Sequence, residues 1–429
     1  MIRDARTVDA SQLQIAACVR PGDVVAWGQC GAEPLTLTQA LIAARQQVGE
    51  RFGVFIGVQW SDTVRPEHAD SIDIVSYTGG GTNRALSEAG VLQILPTHYS
   101  QFARSVHVDV LLVQVAPADR DGHYSLSIAH EYLLPYLDSA RVVIAEVNAC
   151  APWTYGSRTL TARDFDLLVH TERAPMTLDR AQASATDAKI ATHAATLVED
   201  GATLQFGMGA LPEAILAALS ERRDLGMHSG TFGDAAADLM ERGVITNARK
   251  SIDTGVSVAG VMMGGERAYR YAHRNPRVQF RGTSYTHDID VLGRIDRFVA
   301  INSALEVDLT GQVNAESANG RYLGGVGGGV DFLRGAARSR GGVPIVALPA
   351  TTRNGSRIVS RLNGPVSTPR SDAGVIVTEY GIADLRGLSL SQRVRKMIDV
   401  AAPHLRATLD EEAHLRTHRR GGTSAYASS

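Results

Sequence analysis

The stretch "GDVVAWGQCGAEPLTLTQAL" (Gly22–Leu41) has a counterpart in "GATLQFGMGALPEAILAAL" (Gly201–Leu219). In each stretch a glycine opens an apolar run typical of a buried strand, and a second glycine follows six residues later. A loop of small residues that contains one proline then leads into a helical pattern. The two stretches therefore predict the same strand–turn–helix unit at two places in one chain.

Other paired motifs follow in the same order along the chain. "RVVIAEV" (141–147) matches "VPIVALP" (343–349), and "VHTE" (169–172) matches "IVTE" (376–379). Motif pairs that keep one order indicate an internal duplication. We therefore predict an N-terminal domain over 1–185, a C-terminal domain over 186–410 and a polar tail over 411–429.

The apolar, β-branched runs of each half alternate with helical patterns. Such runs are typical of parallel strands that helices cover on both faces. The predicted fold class is α/β, with two related, open and largely parallel domains. Ligands of open α/β sheets bind beyond the carboxyl ends of the strands, so we expect a site in the cleft between the domains.

The composition excludes several classes of function. The 429 residues carry a formal net charge of −2 and are 44% hydrophobic, which gives no basic excess for nucleic acid or an anionic membrane. No apolar run approaches the roughly 18 residues of a membrane-spanning helix, and the N-terminus lacks the apolar segment of a secretory signal. Three separated cysteines and the absence of metal-ligand spacing predict a cytoplasmic protein with reduced thiols and no bound metal.

Three glycine-containing turns are candidate ligand-binding elements. "GMGALP" (207–212) follows a strand and opens a helix, a geometry that suits an anion or a developing oxyanion. "GGVGGGVDF" (324–332) allows a close approach of the backbone to a ligand. "LGMHSGTFGD" (225–234) forms a sharp turn between two predicted helices, and its apex contains neither a carboxylate nor a thiol.

The chain resembles the acetyl-CoA hydrolase/transferase family of CoA-transferases. The resemblance rests on "INSALEVDLTGQVNAES" (301–317), "GGVGGGVDFLRGA" (324–336) and "VTEYGIADLRG" (377–387), together with "AEVNACAPWTYG" (145–156) in the first half. It implies two CoA-transferase domains with a coenzyme A thioester as substrate, no permanently bound cofactor, and a homodimer. In such enzymes a glutamate attacks the thioester, and an anhydride and a glutamyl-CoA thioester follow.

The resemblance also implies roles for individual residues. The family glutamate falls at Gly230, so the turn is present and the nucleophile is missing. The expected oxyanion and CoA-binding glycine loops supply Gly207, Gly209, Gly325, Val326, Gly327 and Gly328. Asn302 matches an asparagine that, in the family, helps to align the catalytic glutamate, which this chain lacks.

Without a side chain at residue 230, the covalent route through that residue is closed. We expect direct attack on acyl-CoA by water, an amine or an alcohol, which makes the partners an acyl-CoA and a small acceptor. The candidate bases are His98, His228, Asp234 and Glu33. The alternatives are a covalent nucleophile at Cys30, a CoA-transferase that uses another carboxylate (Glu33 or Glu316), and a protein that binds acyl-CoA without turnover.

Overall fold

A computed structural model of the chain describes residues 3–179, 181–353 and 355–420, with side chains described as far as residue 415. The predicted fold class is confirmed, because two large sheets with flanking helices make up the two halves. Apolar side chains of the strands, such as Val25, Leu111 and Ile144 in the first sheet, are fully buried, as sheets covered on both faces require.

The first sheet has eight strands, and every neighbouring pair is parallel. In order across the sheet, the strands are Arg6–Thr7, Leu167–Thr171, Val142–Asn148, Val110–Val115, Val24–Trp27, Phe52–Ile56, Ile72–Ser76 and Leu92–Ile94.

The second sheet has six strands, of which the first five are parallel and the last is antiparallel to its neighbour. In order across the sheet, the strands are Gly226–Met227, Thr203–Phe206, Phe298–Ser303, Val343–Ala347, Val375–Thr378 and Gly381–Asp384.

The two sheets share one strand order over five positions. The shared order begins at Phe52–Ile56 in the first sheet and at Gly226–Met227 in the second, and passes next through the strands of the duplicated unit, Val24–Trp27 and Thr203–Phe206. It continues through the strands of 110–115 and 298–303, 142–148 and 343–347, and 167–171 and 375–378. The sequence pairs proposed above thus occupy equivalent strands. The exact domain boundaries stay a prediction.

Helices cover the sheets. In the first half they are Leu35–Ala43, Asn83–Glu88, Phe102–Ser105 and Leu133–Ser139. In the second half they are Ala185–Ala195, Ala210–Ala218, Asp234–Glu241, Glu266–Ala272, Thr283–Thr286, Ile289–Gly293, Gly329–Arg338, Leu390–Asp399 and Arg406–Arg420. The last helix crosses the predicted boundary at residue 410, so residues 411–420 of the expected tail are helical, and residues 421–429 lie outside the described residues.

Small sheets complete the fold, and one of them joins the two halves. Tyr155–Gly156 of the first half pairs with Val278–Phe280, which pairs in turn with Ser257–Ala259. The remaining short strands are Thr231–Phe232 with Val261–Met262, Glu306–Asp308 with Val313–Asn314 and Ile358–Val359, Ser317–Ala318 with Arg321–Tyr322, and Thr351–Thr352 with Gly355–Ser356.

Two of the exclusions made from the sequence can be compared with the structure. The three cysteines are free thiols. Within the described ranges, none of the helices combines the length and the apolar character needed to cross a membrane.

Candidate active site

Gly230 lies in a turn that is fixed to the end of a central strand. The backbone N–H of His228 donates to Leu204 O at 3.0 Å, and the Ser229 hydroxyl donates to Phe206 O at 3.1 Å. Ser229 is fully buried. The turn therefore stands beyond the carboxyl end of the strand Thr203–Phe206, where open α/β folds bind their ligands.

The backbone of Gly260 connects this turn to the first half of the chain. Its N–H donates to Gly230 O at 3.0 Å, and its carbonyl accepts from His130 N at 3.0 Å. A Cβ atom at Gly260 would lie 3.0 Å from Gly230 O and 3.4 Å from Glu131 Cβ. Residue 260 is therefore tightly enclosed, and Gly230 and Glu131 approach it from the two halves.

A cavity of about 170 Å³ opens between Gly230 and Glu131. Both halves of the chain contribute to its wall, as predicted for a site in the cleft. The polar and glycine residues that line it are Gln29, Tyr77, Tyr99, Glu131, Gln205, Gly207, Gly230, Thr231, His287, Asn302, Gly328 and Gly329. The apolar lining consists of Phe206, Val261, Met263 and Phe332.

The backbone at Gly230 would accept a side chain. Its φ lies outside the left-handed region that favours glycine, and a Cβ atom would lie 3.2 Å from His287 Nε2 and 3.5 Å from Phe332 Cε2. These distances are tight against His287 and ordinary against Phe332. A side chain at this position would thus enter the cavity, and glycine leaves that space open.

Glu131 supplies a buried carboxylate to the cavity. Tyr99 Oη donates to its Oε2 at 2.5 Å, and Gln29 Nε2 donates to Oε1 at 2.9 Å and to Oε2 at 3.0 Å. Gln29 is itself held, because its Oε1 accepts from Tyr77 Oη at 2.7 Å and from Val58 N at 3.0 Å. The carboxylate is therefore fixed in orientation by a hydrogen-bonded network of the first half.

Burial raises the pKa of Glu131 from its ordinary value of 4.5 to about 7, and the hydrogen bonds from Tyr99 and Gln29 limit the rise. The pKa values of Tyr77, Tyr99 and Tyr132 are raised well above their usual range, chiefly by burial and further by the nearby Glu131. These hydroxyls stay protonated near neutral pH. Glu131 is thus the group of this network that can exchange a proton there.

His287 faces the cavity from the second half. Its Nδ1 lies 2.8 Å from the Thr286 hydroxyl, and its ring packs between Tyr99 and Phe332, with centroids 4.9 and 4.4 Å away. Burial lowers the pKa of His287 to about 3, so the imidazole is neutral at physiological pH. It can therefore accept or donate one hydrogen bond to a bound molecule without adding charge.

The structure brings part of the predicted site together. Gly207, Gly230, Asn302 and Gly328 line the cavity, and Asn302 Nδ2 donates to Gln205 Oε1 at 3.1 Å. Gly325, Val326 and Gly327 line an adjoining space of about 260 Å³, to which Asn302 and Gly328 also contribute. Gly209 lines a smaller space on the other side of Gly207. The two glycine loops thus border the cavity, and the roles that the resemblance implies for them stay a prediction.

The two histidines predicted as bases do not line the cavity. His228 is completely buried, its Nε2 lies 3.3 Å from Thr286 O, its ring stacks on Tyr285, and burial lowers its pKa to about 3. It is a core histidine. His98 lies near Asp331, whose pKa is raised by burial, while its neighbour Tyr99 enters the cavity.

The two predicted acidic bases also have other roles. Asp234 accepts from Gly265 N at 2.9 Å and from Ala268 N at 2.8 Å, so it caps the helix that begins at Glu266. Glu33 is buried outside the cavity lining and accepts from Thr38 Oγ1 at 2.8 Å and from Ser61 Oγ at 2.6 Å.

The alternative nucleophiles are also held away from the cavity lining. Cys30 is fully buried, and burial raises the pKa of its thiol well above the usual range, which disfavours the reactive thiolate. Glu316 accepts a hydrogen bond from Ser367 Oγ at 2.7 Å and another from Tyr322 Oη. One cluster of possible metal ligands also lies outside the cavity lining. It consists of Asp119, Asp121 and His123, and their ligand atoms lie within 4.8 Å of one another.

Neither Glu131 nor His287 was predicted from the sequence as a site residue. Glu131 stands in "SIAHEYLL" (127–134), where a charged residue interrupts a run of buried side chains. A buried carboxylate needs a partner or a function, but the sequence shows only an acidic residue in a mainly apolar stretch, and the structure shows that it is buried. His287 in "YTHD" (285–288) forms no motif with the other site residues, and only the tertiary structure brings it to Gly230.

Comparison with known proteins decides the family. Residues 8–174 match the N-terminal domain of acetyl-CoA hydrolase/transferase, and residues 264–413 match the C-terminal domain of the same family. The chain belongs to the acetyl-CoA hydrolase/transferase family.

Relatives of this acetyl-CoA hydrolase/transferase family member support the assignment over nearly the whole chain. It is 36% identical to 4-hydroxybutyrate coenzyme A transferase of Clostridium kluyveri, over 78% of this chain and 80% of that one. It is 31% identical to succinyl-CoA:cyclohexane-1-carboxylate CoA transferase of Geobacter metallireducens, over 96% of both chains. The crystal structure of RipA from Yersinia pestis is similar, with a TM-score of 0.91 and 31% identity over 96% of this chain and 98% of that one.

The raised pKa of Glu131 predicts a pH dependence of stability. Between pH 4.5 and about 7 the folded protein keeps a proton that the unfolded chain releases, so this residue lowers the free energy of unfolding as the pH rises through that window. Glu131→Gln removes the effect. We expect the free energy of unfolding of the variant, relative to wild type, to increase from pH 5 to pH 8 by up to about 3 kcal/mol. Urea unfolding of wild type and variant at the two pH values measures this difference in free energy. A difference that is the same at both pH values would contradict the raised pKa of Glu131.

Proposed function

We propose that this family member transfers the acyl group of an acyl-CoA directly to an acceptor in the cavity, without an acyl or CoA adduct on residue 230. The observation that carries the proposal is the open space at Gly230 beside the buried carboxylate of Glu131. Glycine has no atom that can attack a thioester, and the space is large enough for an external nucleophile. A single water needs about 10–15 Å³ of such space, and the cavity offers about 170 Å³.

Glu131 is the group suited to activate that nucleophile. A general base works best with a pKa near the working pH, and burial places the pKa of Glu131 at about 7. Its two hydrogen-bond donors, Tyr99 and Gln29, hold the carboxylate in one orientation. As the base, Glu131 takes a proton from the acceptor while the acceptor attacks the thioester carbon.

The flanking glycine loops supply the rest of the proposed machinery. Gly207 and Gly328 border the cavity from two separate loops, where backbone N–H groups can stabilise the oxyanion of a tetrahedral intermediate. The adjoining space along Gly325–Gly328 would accept the thioester end of CoA, which acts as a substrate and is not retained. We further propose a cytoplasmic homodimer.

A second candidate function is a CoA-transferase in which Glu131 itself replaces the missing glutamate. It is favoured by the presence of this carboxylate in the cavity, whereas Glu33 and Glu316 are held elsewhere. The two functions differ in their products. Direct attack releases free CoA thiol, and a transferase moves CoA to a second carboxylate by way of a covalent intermediate.

The purified protein is incubated with acetyl-CoA or butyryl-CoA, with and without acetate, while free thiol and labelled CoA exchange are followed. We expect thiol release that does not depend on acetate. Exchange that requires acetate, without net release of thiol, would overturn direct attack and support the transferase. Absence of both signals across a wider acyl-CoA panel would favour a protein that only binds acyl-CoA.

A glutamate restored at residue 230 is predicted to change the reaction. In Gly230→Glu the new side chain enters the cavity beside His287 and Phe332, and its Cβ atom requires only His287 to shift, by a few tenths of an ångström. We expect acetate-dependent CoA exchange to appear and direct thiol release to fall, because the side chain fills the acceptor space. Gly230→Gln has nearly the same volume and no nucleophile, so it serves as the matched control and should lose thiol release without gaining exchange.

A further inference from the structure

The charges around the cavity select among acceptors. Glu131 is, within the described part of the chain, the one residue of the cavity lining that carries a charge near neutral pH. The others are amides, hydroxyls, glycines and apolar side chains, and His287 is neutral because its pKa is lowered to about 3. The site thus offers one negative charge and no positive charge to a bound molecule.

Glu131 has hydrogen-bond partners but no counter-ion. In the described residues its donors are the neutral Tyr99 and Gln29, and no nearby positive group contributes to its pKa. Buried carboxylates are normally paired with a cation. A second carboxylate bound here would meet repulsion that no cation relieves, whereas a cation would remove the cost of burying the charge.

The lining also limits the size and polarity of the acceptor. Phe206, Val261, Met263 and Phe332 give the same cavity an apolar surface in addition to the carboxylate of Glu131. A cavity of about 170 Å³ with one charged end and an apolar wall suits a short alkyl chain with a single charged head. Water can donate a hydrogen bond to the carboxylate, but it neither neutralises the charge nor covers the apolar wall.

From these observations we infer that the acceptor is a short primary amine, bound as an alkylammonium ion by Glu131 with its chain along the apolar wall, and that the product is an amide. The inference rests on the proposed direct-attack function and names its acceptor. The reaction is thereby an N-acyl transfer, with hydrolysis as the reaction that occurs when the amine is missing.

The step balances with the groups at the site. Glu131 takes one proton from the ammonium ion, and the freed nitrogen lone pair forms a bond to the thioester carbon while the carbonyl electrons move to oxygen. The oxyanion electron pair then re-forms the carbonyl bond as the C–S bond breaks with its electron pair on sulfur, and the nitrogen passes a second proton to the departing thiolate. The products are the amide and CoA thiol, and the proton held by Glu131 leaves to solvent.

The first test measures binding without any acyl-CoA, so that it does not depend on the identity of the acyl group. The melting temperature of the full-length protein is followed at pH 8 with increasing propylammonium or with propan-1-ol, a neutral molecule of nearly the same shape. We expect a rise in melting temperature that increases with propylammonium concentration and is absent with propanol. Equal effects of the two compounds, or no effect of either, would overturn the inference.

Variants link the binding to Glu131. Glu131→Gln keeps the shape and loses the charge, so the response to propylammonium should disappear, whereas Glu131→Asp should keep part of it. Glu33→Gln, which alters a buried and hydrogen-bonded carboxylate outside the cavity lining, is the matched control and should respond as wild type does. An unchanged response in Glu131→Gln, with its fold checked by circular dichroism, would also overturn the inference.

The second test measures the product. With acetyl-CoA or butyryl-CoA and propylamine, mass spectrometry should detect the N-propyl amide, and Glu131→Gln should lower its formation by about 100-fold or more. Thiol release that gives only the free acid in the presence of propylamine would reject the amine and leave direct attack standing. Acetate-dependent CoA exchange without thiol release would reject both the amine acceptor and the direct-attack function.

Discussion

The site depends on the contact that the backbone of Gly260 makes between the two halves. Its N–H donates to Gly230 O and its carbonyl accepts from His130 N, and a Cβ atom would press on the Gly230 carbonyl. Gly260 thus contacts both the turn at Gly230 and the segment that carries Glu131, and a hydrogen bond from Met262 N to Ile128 O at 2.8 Å joins the same segments. The cavity lies between the two segments that these contacts join.

A missing side chain changes what the remaining groups can do. In the chemistry that the family resemblance implies, residue 230 would hold the nucleophile and the cavity would receive its covalent intermediates. With glycine there, the same space is open to a second molecule, as the proposed function requires, and the pKa of about 7 suits Glu131 to the proposed role of base. The glycine loops at Gly207 and Gly328 border the space in either case.

Much of the fold was predictable because it is local and repeated. The units at 22–41 and 201–219 each contain a complete strand, turn and helix signal, and the strands they open occupy equivalent positions in the two sheets. The turn at Gly230 was identified by its flanking residues. The proposed acid–base group was not, because Glu131 lies 99 positions earlier in the chain and only tertiary contacts, including those of Gly260, place the two residues on one cavity. Asp234 and Glu33 were misinterpreted because the sequence alone does not distinguish a helix cap or a buried hydrogen-bonded carboxylate from a catalytic acid.

The central claim is that the acyl group passes to the acceptor without a bond to the protein. Intact-protein mass spectrometry tests this most directly, on samples quenched at intervals after mixing with acyl-CoA while free CoA thiol is measured in parallel. The account predicts that thiol accumulates over many turnovers and the protein keeps its unmodified mass. A mass increase that corresponds to an acyl group or to CoA, located by peptide mapping at Glu131 or another carboxylate, would contradict it.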